Sequence, residues 1–222
     1  GVGPWADKLL GEAKPEVIYN TATGFTADTF EQVTAVDPTQ IIAVNQAVDA
    51  RTKGSLEEIA PTTVKPNGYE DWQVPWEKQV ETIADAVGKE DEGDKLIDDT
   101  EKAFEEFRHE HAELQDKSAA IVMPYDGKIG LYTEEDGRGQ FIEDLGMEIP
   151  DALQGDGGSF FVDIAPENYA KLNQVDYLFV LDYNGSSDAL KKDKTFQGLD
   201  IVKDDRVRYL DTDTGNAMSM PN

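Results

Sequence analysis

Short apolar runs alternate with amphipathic segments along the 222 residues of the chain. Residues 40–44 and 176–181 are rich in aliphatic and aromatic side chains and have the length of buried strands. In residues 26–36 and 76–87, apolar side chains recur three and four positions apart, which predicts helices that each bury one face. Because strands and helices alternate in this way, the pattern predicts an α/β fold with parallel sheets.

The remaining predicted elements are shorter. Asp126-Gly127 stands between two apolar runs and is a dipeptide typical of a two-residue hairpin turn. Gly88 and Gly146 follow predicted helices, as glycine at a helix C-cap does. These shorter strands are predicted at residues 15–19, 119–123, 128–132 and 207–210, and the helices at 56–60, 139–145, 166–172 and 187–192.

Residues 91–114 form the longest periodic segment. They contain no proline, and Ile97, Phe104, Phe107 and Leu114 share one face of a helix about 36 Å long. The segment separates two α/β halves. The sequence therefore predicts two Rossmann-like lobes joined by one long interlobe helix, with the N-terminal lobe at 1–88, the helix at 89–115 and the C-terminal lobe at 116–222.

Composition narrows the classes of function. The chain has 46 acidic residues against 20 Lys and Arg, and the net charge of −26 repels phosphate backbones and anionic lipids, so we expect no nucleic-acid partner. The absence of cysteine excludes disulfides and thiolate chemistry. No apolar run is long enough to span a membrane and no signal peptide is present, and the opening Gly1-Val2-Gly3-Pro4 is what we expect of a mature or trimmed chain.

Motifs of the common enzyme classes are missing from the sequence. The two histidines, His109 and His111, lie two positions apart in the predicted long helix and so point to different faces, which disfavours a metal site. Acidic residues are so abundant that a carboxylate pair carries little weight, and a carboxylate-based hydrolase stays only as an alternative. We therefore assign no catalytic residue and no metal ligand, and we predict that the chain is not an enzyme.

Arginine is scarce, and Arg138 is one of only five. It lies in the segment Glu135-Asp136-Gly137-Arg138-Gly139, which opens a predicted helix. A guanidinium at a helix N-terminus makes a donor-rich positive spot that suits an anionic ligand. A local salt bridge to Glu134, Glu135 or Asp136 explains the same residue equally well, and the sequence leaves both interpretations open.

Aromatic residues gather at the predicted ends of strands and in loops. At such places they line clefts in α/β proteins, or they pack a loop onto the core. The residues concerned are Trp5, Tyr69, Trp72, Tyr125, Tyr132, Phe160, Phe161 and Tyr183.

The order of several blocks resembles the substrate-binding proteins of iron–siderophore ABC importers, the helical-backbone class of periplasmic-binding-protein-like folds, over essentially the whole chain. That family has Asp where Thr39 stands, and it usually has a strand–helix–strand unit before this start and a helix after this end. The resemblance implies an incomplete N-terminal lobe and trimming at both ends. The blocks are Phe30-Glu31-Gln32-Val33 with Asp37-Pro38-Thr39-Gln40-Ile41-Ile42, Leu56-Glu57-Glu58-Ile59-Ala60-Pro61-Thr62, Trp76 through Gly88, Gly137-Arg138 with Phe141-Ile142-Glu143-Asp144-Leu145-Gly146, Ile164-Ala165-Pro166-Glu167-Asn168, and Tyr177 to Leu181.

The resemblance implies an extracytoplasmic protein that captures a ferric siderophore in an interlobe cleft and delivers it to an ABC transporter permease. Aromatic side chains would cover the ligand, and Arg138 would hydrogen-bond its iron-ligating oxygens. Iron would enter only as part of the ligand, with no cofactor and no protein metal ligand. The implied ligand-binding residues are Trp5, Tyr125, Tyr132, Arg138, Phe160 and Tyr183.

Glu31 and Glu167 match positions at which each lobe of related proteins carries a carboxylate that meets arginines of the permease. The resemblance also implies a monomer, located in the periplasm or on the cell surface as a membrane-anchored lipoprotein. A haem or cobalamin carrier of the same fold stays open, because Tyr125, Tyr132 or Tyr183 could be an axial haem ligand. The sequence does not distinguish hydroxamate, catecholate and carboxylate siderophores.

Overall fold

The computed structural model describes residues 8–13, 15, 16, 18, 25–183 and 185–218, without the side chains of Asn216 and Ala217. The chain divides into two compact units between Ile97 and Asp98. Within the described residues, no helix combines the length and the apolar character needed to cross a membrane.

The first unit contains a pair of parallel strands, β1 (Ile41–Ala43) and β2 (Thr62–Val64). The helices α1 (Ala27–Ala35), α2 (Ala50–Glu57) and α3 (Trp76–Val87) accompany them. The predictions for α1, β1 and α3 are confirmed within one or two residues. The strand predicted at 15–19 falls partly outside the described residues, and its described positions, 15, 16 and 18, have no regular structure.

Capping residues explain where these helices begin and end. The Thr26 side chain accepts a hydrogen bond from the Thr29 backbone N–H at the start of α1. Gly88 ends α3 in the left-handed conformation, with φ of 66°. Asp49 accepts from the Thr52 N–H at 2.7 Å and starts α2 at Ala50. The prediction of a helix at 56–60 is therefore wrong in its start, because Asp49 caps the helix and α2 begins at Ala50.

The long helix α4 (Glu90–Glu110) contains the division between the two units. Its 21 residues correspond to about 31 Å, shorter than predicted. It ends because His111 leaves the helical conformation, with φ of −119° and ψ of 48°, and a 3₁₀ turn (Ala112–Leu114) follows. Near its start, Gly93 permits a close approach to α3, since a Cβ at that position would lie 2.5 Å from the Cβ of Ala84.

The second unit is built on a five-stranded sheet with the order β5-β4-β3-β6-β7. The strands β3, β6 and β7 are parallel, whereas β4 is antiparallel to both β3 and β5. The expectation of parallel sheets therefore holds for β3, β6 and β7 only, and the predicted Asp126-Gly127 hairpin accounts for the antiparallel β4. A two-residue turn cannot carry a crossover, so the Asp126-Gly127 turn, with both residues at positive φ, forces β4 to run back along β3. The strands are β3 (Ala119–Tyr125), β4 (Lys128–Tyr132), β5 (Phe161–Ile164), β6 (Tyr177–Leu181) and β7 (Val207–Leu210).

Short helices surround this sheet. The predicted helices at 139–145 and 187–192 are confirmed as α5 (Gly137–Asp144) and α6 (Ser187–Lys192). The segment predicted at 166–172 is a 3₁₀ helix, Pro166–Gln174. The other helices of this unit are a 3₁₀ turn at Asp151–Leu153, α7 (Lys194–Gln197), α8 (Asp200–Lys203) and α9 (Thr212–Ala217).

The two faces of the five-stranded sheet differ in composition. We call one the aliphatic face; it packs against Leu172, Phe196 and Ile201 and is almost completely buried. We call the other the aromatic face; it packs on Ile142, Met147 and Ile149, and several of its side chains are only partly buried. The aliphatic face consists of Ala120, Val122, Ile129, Leu131, Ile164, Leu178 and Val180, and the aromatic face of Ala119, Ile121, Met123, Tyr125, Tyr132, Phe161, Tyr177, Phe179 and Leu181.

Candidate binding surface

The start of α5 fixes Arg138 next to the end of β4. Asp136 is the N-cap of α5, and its carboxylate accepts the Arg138 backbone N–H at 2.9 Å. Gly139 allows the helix to press against the strand end, because a Cβ there would lie 1.9 Å from the carbonyl oxygen of Thr133. The sequence around Arg138 thus sets the position of its backbone within narrow limits.

The Arg138 side chain lies across the edge of the aromatic face. Its Nη1 donates to the two Asp136 carboxylate oxygens at 3.0 and 3.3 Å. Its Nη2 donates to the Tyr183 hydroxyl at 3.2 Å. The guanidinium carbon lies 4.4 Å from the centre of the Tyr132 ring, a cation–π contact. The side chain is therefore held from three directions, and only 15% of it is exposed.

Burial is the largest single influence on the pKa values of Tyr132, Asp136 and Arg138. It raises the pKa of Tyr132 to about 12. Burial also raises the pKa of the Asp136 carboxyl, although the charge of Arg138 opposes the rise. Burial is also the largest single influence on Arg138 and disfavours the charged guanidinium, but Asp136, Tyr132 and Tyr183 together outweigh it, so the pKa of Arg138 is raised. Every hydrogen bond between the two side chains runs from Arg138 to Asp136, which is the geometry of an ion pair.

A second charged pair borders the aromatic face at the hairpin. Lys128 and the Tyr125 hydroxyl both donate to the Asp163 carboxylate. Lys128 also lies over the Tyr125 ring, 4.8 Å from its centre. The hydrogen bond with Lys128 lowers the pKa of Asp163, and the same bond raises the pKa of Lys128, so both stay charged at neutral pH.

Phe161 connects the aromatic side chains. Its ring centre lies 5.3 Å from that of Tyr132, 5.5 Å from that of Tyr125 and 6.1 Å from that of Phe160. Gly130 leaves room for it, because a Cβ on Gly130 would lie 1.6 Å from the Phe161 ring. The Tyr132 hydroxyl contacts the Met123 sulfur at 3.6 Å. The result is a continuous half-buried aromatic surface bordered by the two ion pairs.

Two cavities adjoin this region of the second unit. One, of about 300 Å³, lies beside the hairpin turn and has Tyr125, Lys128, Tyr169 and Asp193 in its lining. The other, of about 240 Å³, lies over the glycine-rich loop after Asp151. The charged residues that line the second cavity are all acidic, and they are Glu134, Glu135, Asp151 and Asp156.

The structure brings together five of the six residues expected to bind a ligand. Tyr132, Arg138 and Tyr183 are in direct contact. Tyr125 and Phe160 join them through Phe161. The sixth, Trp5, lies outside the described residues. Of the two residues expected to meet a permease, Glu31 is exposed on α1 and Glu167 is exposed in the 3₁₀ helix Pro166–Gln174.

The sequence predicts the residue types of this surface but not all of the contacts between them. It offered Glu134, Glu135 and Asp136 as alternative salt-bridge partners of Arg138, and the partner is Asp136. An aspartate immediately before a Gly-flanked helix start is an N-cap signal that favours this choice. The pair Lys128–Asp163 has no local signal, because β5, which carries Asp163, was not predicted at all.

Several solved structures are similar to this chain over most of its length. A periplasmic solute-binding protein from Mycobacterium smegmatis is 26% identical, with a TM-score of 0.81 over 100% of this chain and 75% of that one. PiaA from Streptococcus pneumoniae in complex with ferrichrome is 24% identical, with a TM-score of 0.80 over 99% and 75%. FhuD2 from Staphylococcus aureus with bound ferrioxamine B is 20% identical, with a TM-score of 0.69 over 87% and 73%.

A search of the curated proteins found no match. The family described as "Periplasmic binding protein" matches residues 7–214, which is most of the chain. The α/β architecture, the two units and the helix that contains their division agree with that match. The chain belongs to the periplasmic binding protein family.

Proposed function

We propose that the chain is an extracytoplasmic binding protein that captures a ferric siderophore and delivers it to an ABC transporter permease. The observation that carries the proposal is the aromatic surface with Arg138 fixed on it, in a chain of this family. Two similar structures, 24% and 20% identical, hold ferrichrome and ferrioxamine B. Both ligands are ferric siderophores, so they indicate a ligand class for this chain.

The aromatic surface has the chemistry that such a ligand needs. A siderophore encloses iron in an organic shell, so its surface is partly apolar with exposed oxygens. The rings of Tyr125, Phe160 and Phe161 provide flat apolar contact. Nη2 of Arg138 is a donor toward the iron-ligating oxygens, and a guanidinium keeps its charge at any physiological pH. Iron would be carried as part of the ligand, and the protein would act as a carrier and not as an enzyme.

Delivery would use the two exposed carboxylates, Glu31 and Glu167, one in each unit. Because both are solvated, their charges are available to basic residues of a permease and affect docking more than ligand affinity. We further propose that the protein acts as a monomer anchored to the membrane surface as a lipoprotein or free in the periplasm.

The haem carrier is the weaker candidate. An axial tyrosine needs a hydroxyl free to bind iron. The hydroxyl of Tyr125 donates to Asp163, that of Tyr132 contacts Met123, and that of Tyr183 accepts from Arg138. Each candidate would have to give up an existing contact.

Titration calorimetry with ferrichrome and ferrioxamine B tests the proposal. Arg138→Ala removes a charge-assisted hydrogen bond, so we expect an affinity loss of about 1.5–3 kcal/mol, roughly tenfold to hundredfold in Kd. Arg206→Ala is the matched control, because Arg206 also pairs with an aspartate two residues before it but precedes β7, the edge strand on the other side of the sheet from β4 and β5. Wild-type affinity in Arg138→Ala for every ferric siderophore that binds would contradict the role of Arg138, and failure of every ferric siderophore to bind the wild-type chain would contradict the function.

A further inference from the structure

Arg138 and Lys128, the two cations in contact with tyrosine rings of the aromatic face, are already paired with carboxylates. Arg138 pairs with Asp136, and the two side chains are only 15% and 8% exposed. Lys128 pairs with Asp163 beside the Tyr125 ring. The sequence alone suggested a locally positive spot at Arg138, but the structure gives a surface whose positive charges are each neutralised by a carboxylate.

Arg138 cannot easily leave Asp136 to pair with another anion. Asp136 is held in place because it also accepts the Arg138 backbone N–H as the N-cap of α5. Moving the guanidinium away would strand a buried carboxylate without its counter-ion, which is strongly unfavourable. The ion pair therefore acts as one neutral unit, and Nη2 offers a hydrogen-bond donor without a free positive charge.

Other charges near this unit do not supply the missing positive potential. Arg208 lies beside Phe179 on the aromatic face, but it pairs with Asp205 at 3.6 Å. The cavity over the glycine-rich loop is lined by Glu134, Glu135, Asp151 and Asp156, and the hairpin cavity by Asp126 and Asp193 with Lys128. The net charge of the whole chain is −26. An anionic ligand would therefore meet a potential of its own sign on approach.

We propose that this surface selects ferric complexes that carry no net negative charge, the tris-hydroxamate class, and disfavours trianionic complexes of the tris-catecholate class. Three hydroxamates, each singly negative, cancel the triple charge of ferric iron, whereas three doubly negative catecholates leave three negative charges. Asp136 is thus a positioning residue that also sets the charge preference through Arg138. The proposal rests on the proposed function, since it names the ligand class of the same surface.

The chain contains a natural control for Asp136. Asp204 and Arg206 have the same two-residue spacing and are also paired, with an Nη2 to carboxylate distance of 3.3 Å. Asp204 is 60% exposed, and it precedes β7 at the amino end of the parallel strands, away from Tyr125 and Tyr183. Asp204→Asn therefore makes the same change of charge without touching the aromatic face.

The experiment uses two synthetic ferric complexes on one tripodal scaffold, a neutral tris-hydroxamate and a trianionic tris-catecholate, titrated into the 222-residue chain by calorimetry. We expect the tris-hydroxamate to bind at least about tenfold more tightly. Asp136→Asn keeps a capping side chain but leaves the charge of Arg138 uncompensated, so the tris-catecholate should gain about tenfold in affinity. The tris-hydroxamate carries no net charge and should gain less, so the ratio of the two affinities should shift toward the tris-catecholate, whereas Asp204→Asn should leave that ratio unchanged. Asp163→Asn, at an exposed site, should shift the preference in the same direction and serves if Asp136→Asn folds poorly.

Three results would overturn the charge preference. Equal affinity of the wild-type chain for the two complexes would do so while leaving the proposed function intact. So would an unchanged preference in folded Asp136→Asn and Asp163→Asn, or a shift of the same size in Asp204→Asn. Failure of both complexes, and of ferrichrome and ferrioxamine B, to bind the wild-type chain would overturn the proposed function together with the preference.

Discussion

The two faces of the five-stranded sheet use the same strands for different purposes. On β6, Leu178 points to the aliphatic face and is fully buried, while its neighbour Phe179 points to the aromatic face and is half-buried. The aliphatic face is closed by helices and consists of branched side chains that fit one arrangement. The aromatic face contains rings, hydroxyls and ion pairs that remain within reach of solvent. The close-packed side of the sheet and the proposed binding surface therefore lie on opposite sides of the same strands.

Leu178→Ala is the strongest test of this division. Removal of a fully buried side chain from a central strand leaves a cavity, and we expect a loss of about 2–5 kcal/mol in the free energy of unfolding. Phe179→Ala, one residue along, should cost about 1–2 kcal/mol despite the larger side chain, because Phe179 is only half-buried. Urea denaturation followed by circular dichroism measures both. Equal losses, or a larger loss for Phe179→Ala, would show that the aromatic face is as important for stability as the aliphatic one.

Gly130→Ala tests the packing of the aromatic face. The new Cβ would occupy the position of the Phe161 ring, which would have to move away from Tyr125 and Tyr132. We expect a loss of about 1–3 kcal/mol in stability, measured by urea denaturation, and weaker ligand binding in the same calorimetric titration.

Gly54→Ala is the control for this substitution. Gly54 lies in α2, and an added Cβ there would have no neighbour within 4 Å. This change should raise stability by about 0.5–1 kcal/mol, because alanine favours a helix over glycine. Unchanged stability and binding in Gly130→Ala would mean that Phe161 can leave its position at no cost.

The last test concerns alkaline pH. The folded-state pKa of Tyr132 is raised to about 12 from an ordinary value near 10, so the folded chain keeps this proton where the unfolded chain has lost it. The stabilisation from the neutral phenol is complete below pH about 10 and is lost as pH rises toward 12, by at most about 2–3 kcal/mol.

Tyr132→Phe should reduce this loss, as measured by denaturant unfolding at pH 9 to 12. It should not abolish the loss, because burial also raises the pKa of Tyr169, on the aliphatic side. A pH profile identical to that of the wild-type chain would show that the Tyr132 hydroxyl is hydrated in the folded state.

The elements that were predicted from sequence carry local signals. Gly88 ended α3, Asp126-Gly127 defined the β3–β4 hairpin, and Gly146 followed α5, each through its own backbone preference. The strands β2 and β5 were not predicted. They contain only three and four residues, and pairing with strands distant in the sequence stabilises them. Stabilisation by pairing with a distant strand leaves no pattern in the three or four residues of the strand itself.

For the proposed binding surface, too, the sequence predicted the residues but not the contacts between them. The residue types at Tyr132, Arg138 and Tyr183 could be selected because aromatic and arginine side chains at strand ends are chemically informative. The contacts among these three side chains could not be predicted from the sequence, because they depend on how closely α5 packs against the end of β4 at Gly139. The neutralisation of Arg138 is likewise a packing result, since three neighbouring acids were equally possible partners in the sequence.

The double role of Asp136 has a genetic consequence. One side chain both starts α5 and balances the charge of Arg138. Asparagine preserves the first role and abolishes the second, and its codons differ from those of aspartate by one base. On the proposed charge preference, one base change is enough to alter it, and the cost of that change is a buried guanidinium left without its counter-ion. Position 136 is therefore the place at which a change of the proposed charge preference needs the fewest base changes and a compensating gain in stability elsewhere in the fold.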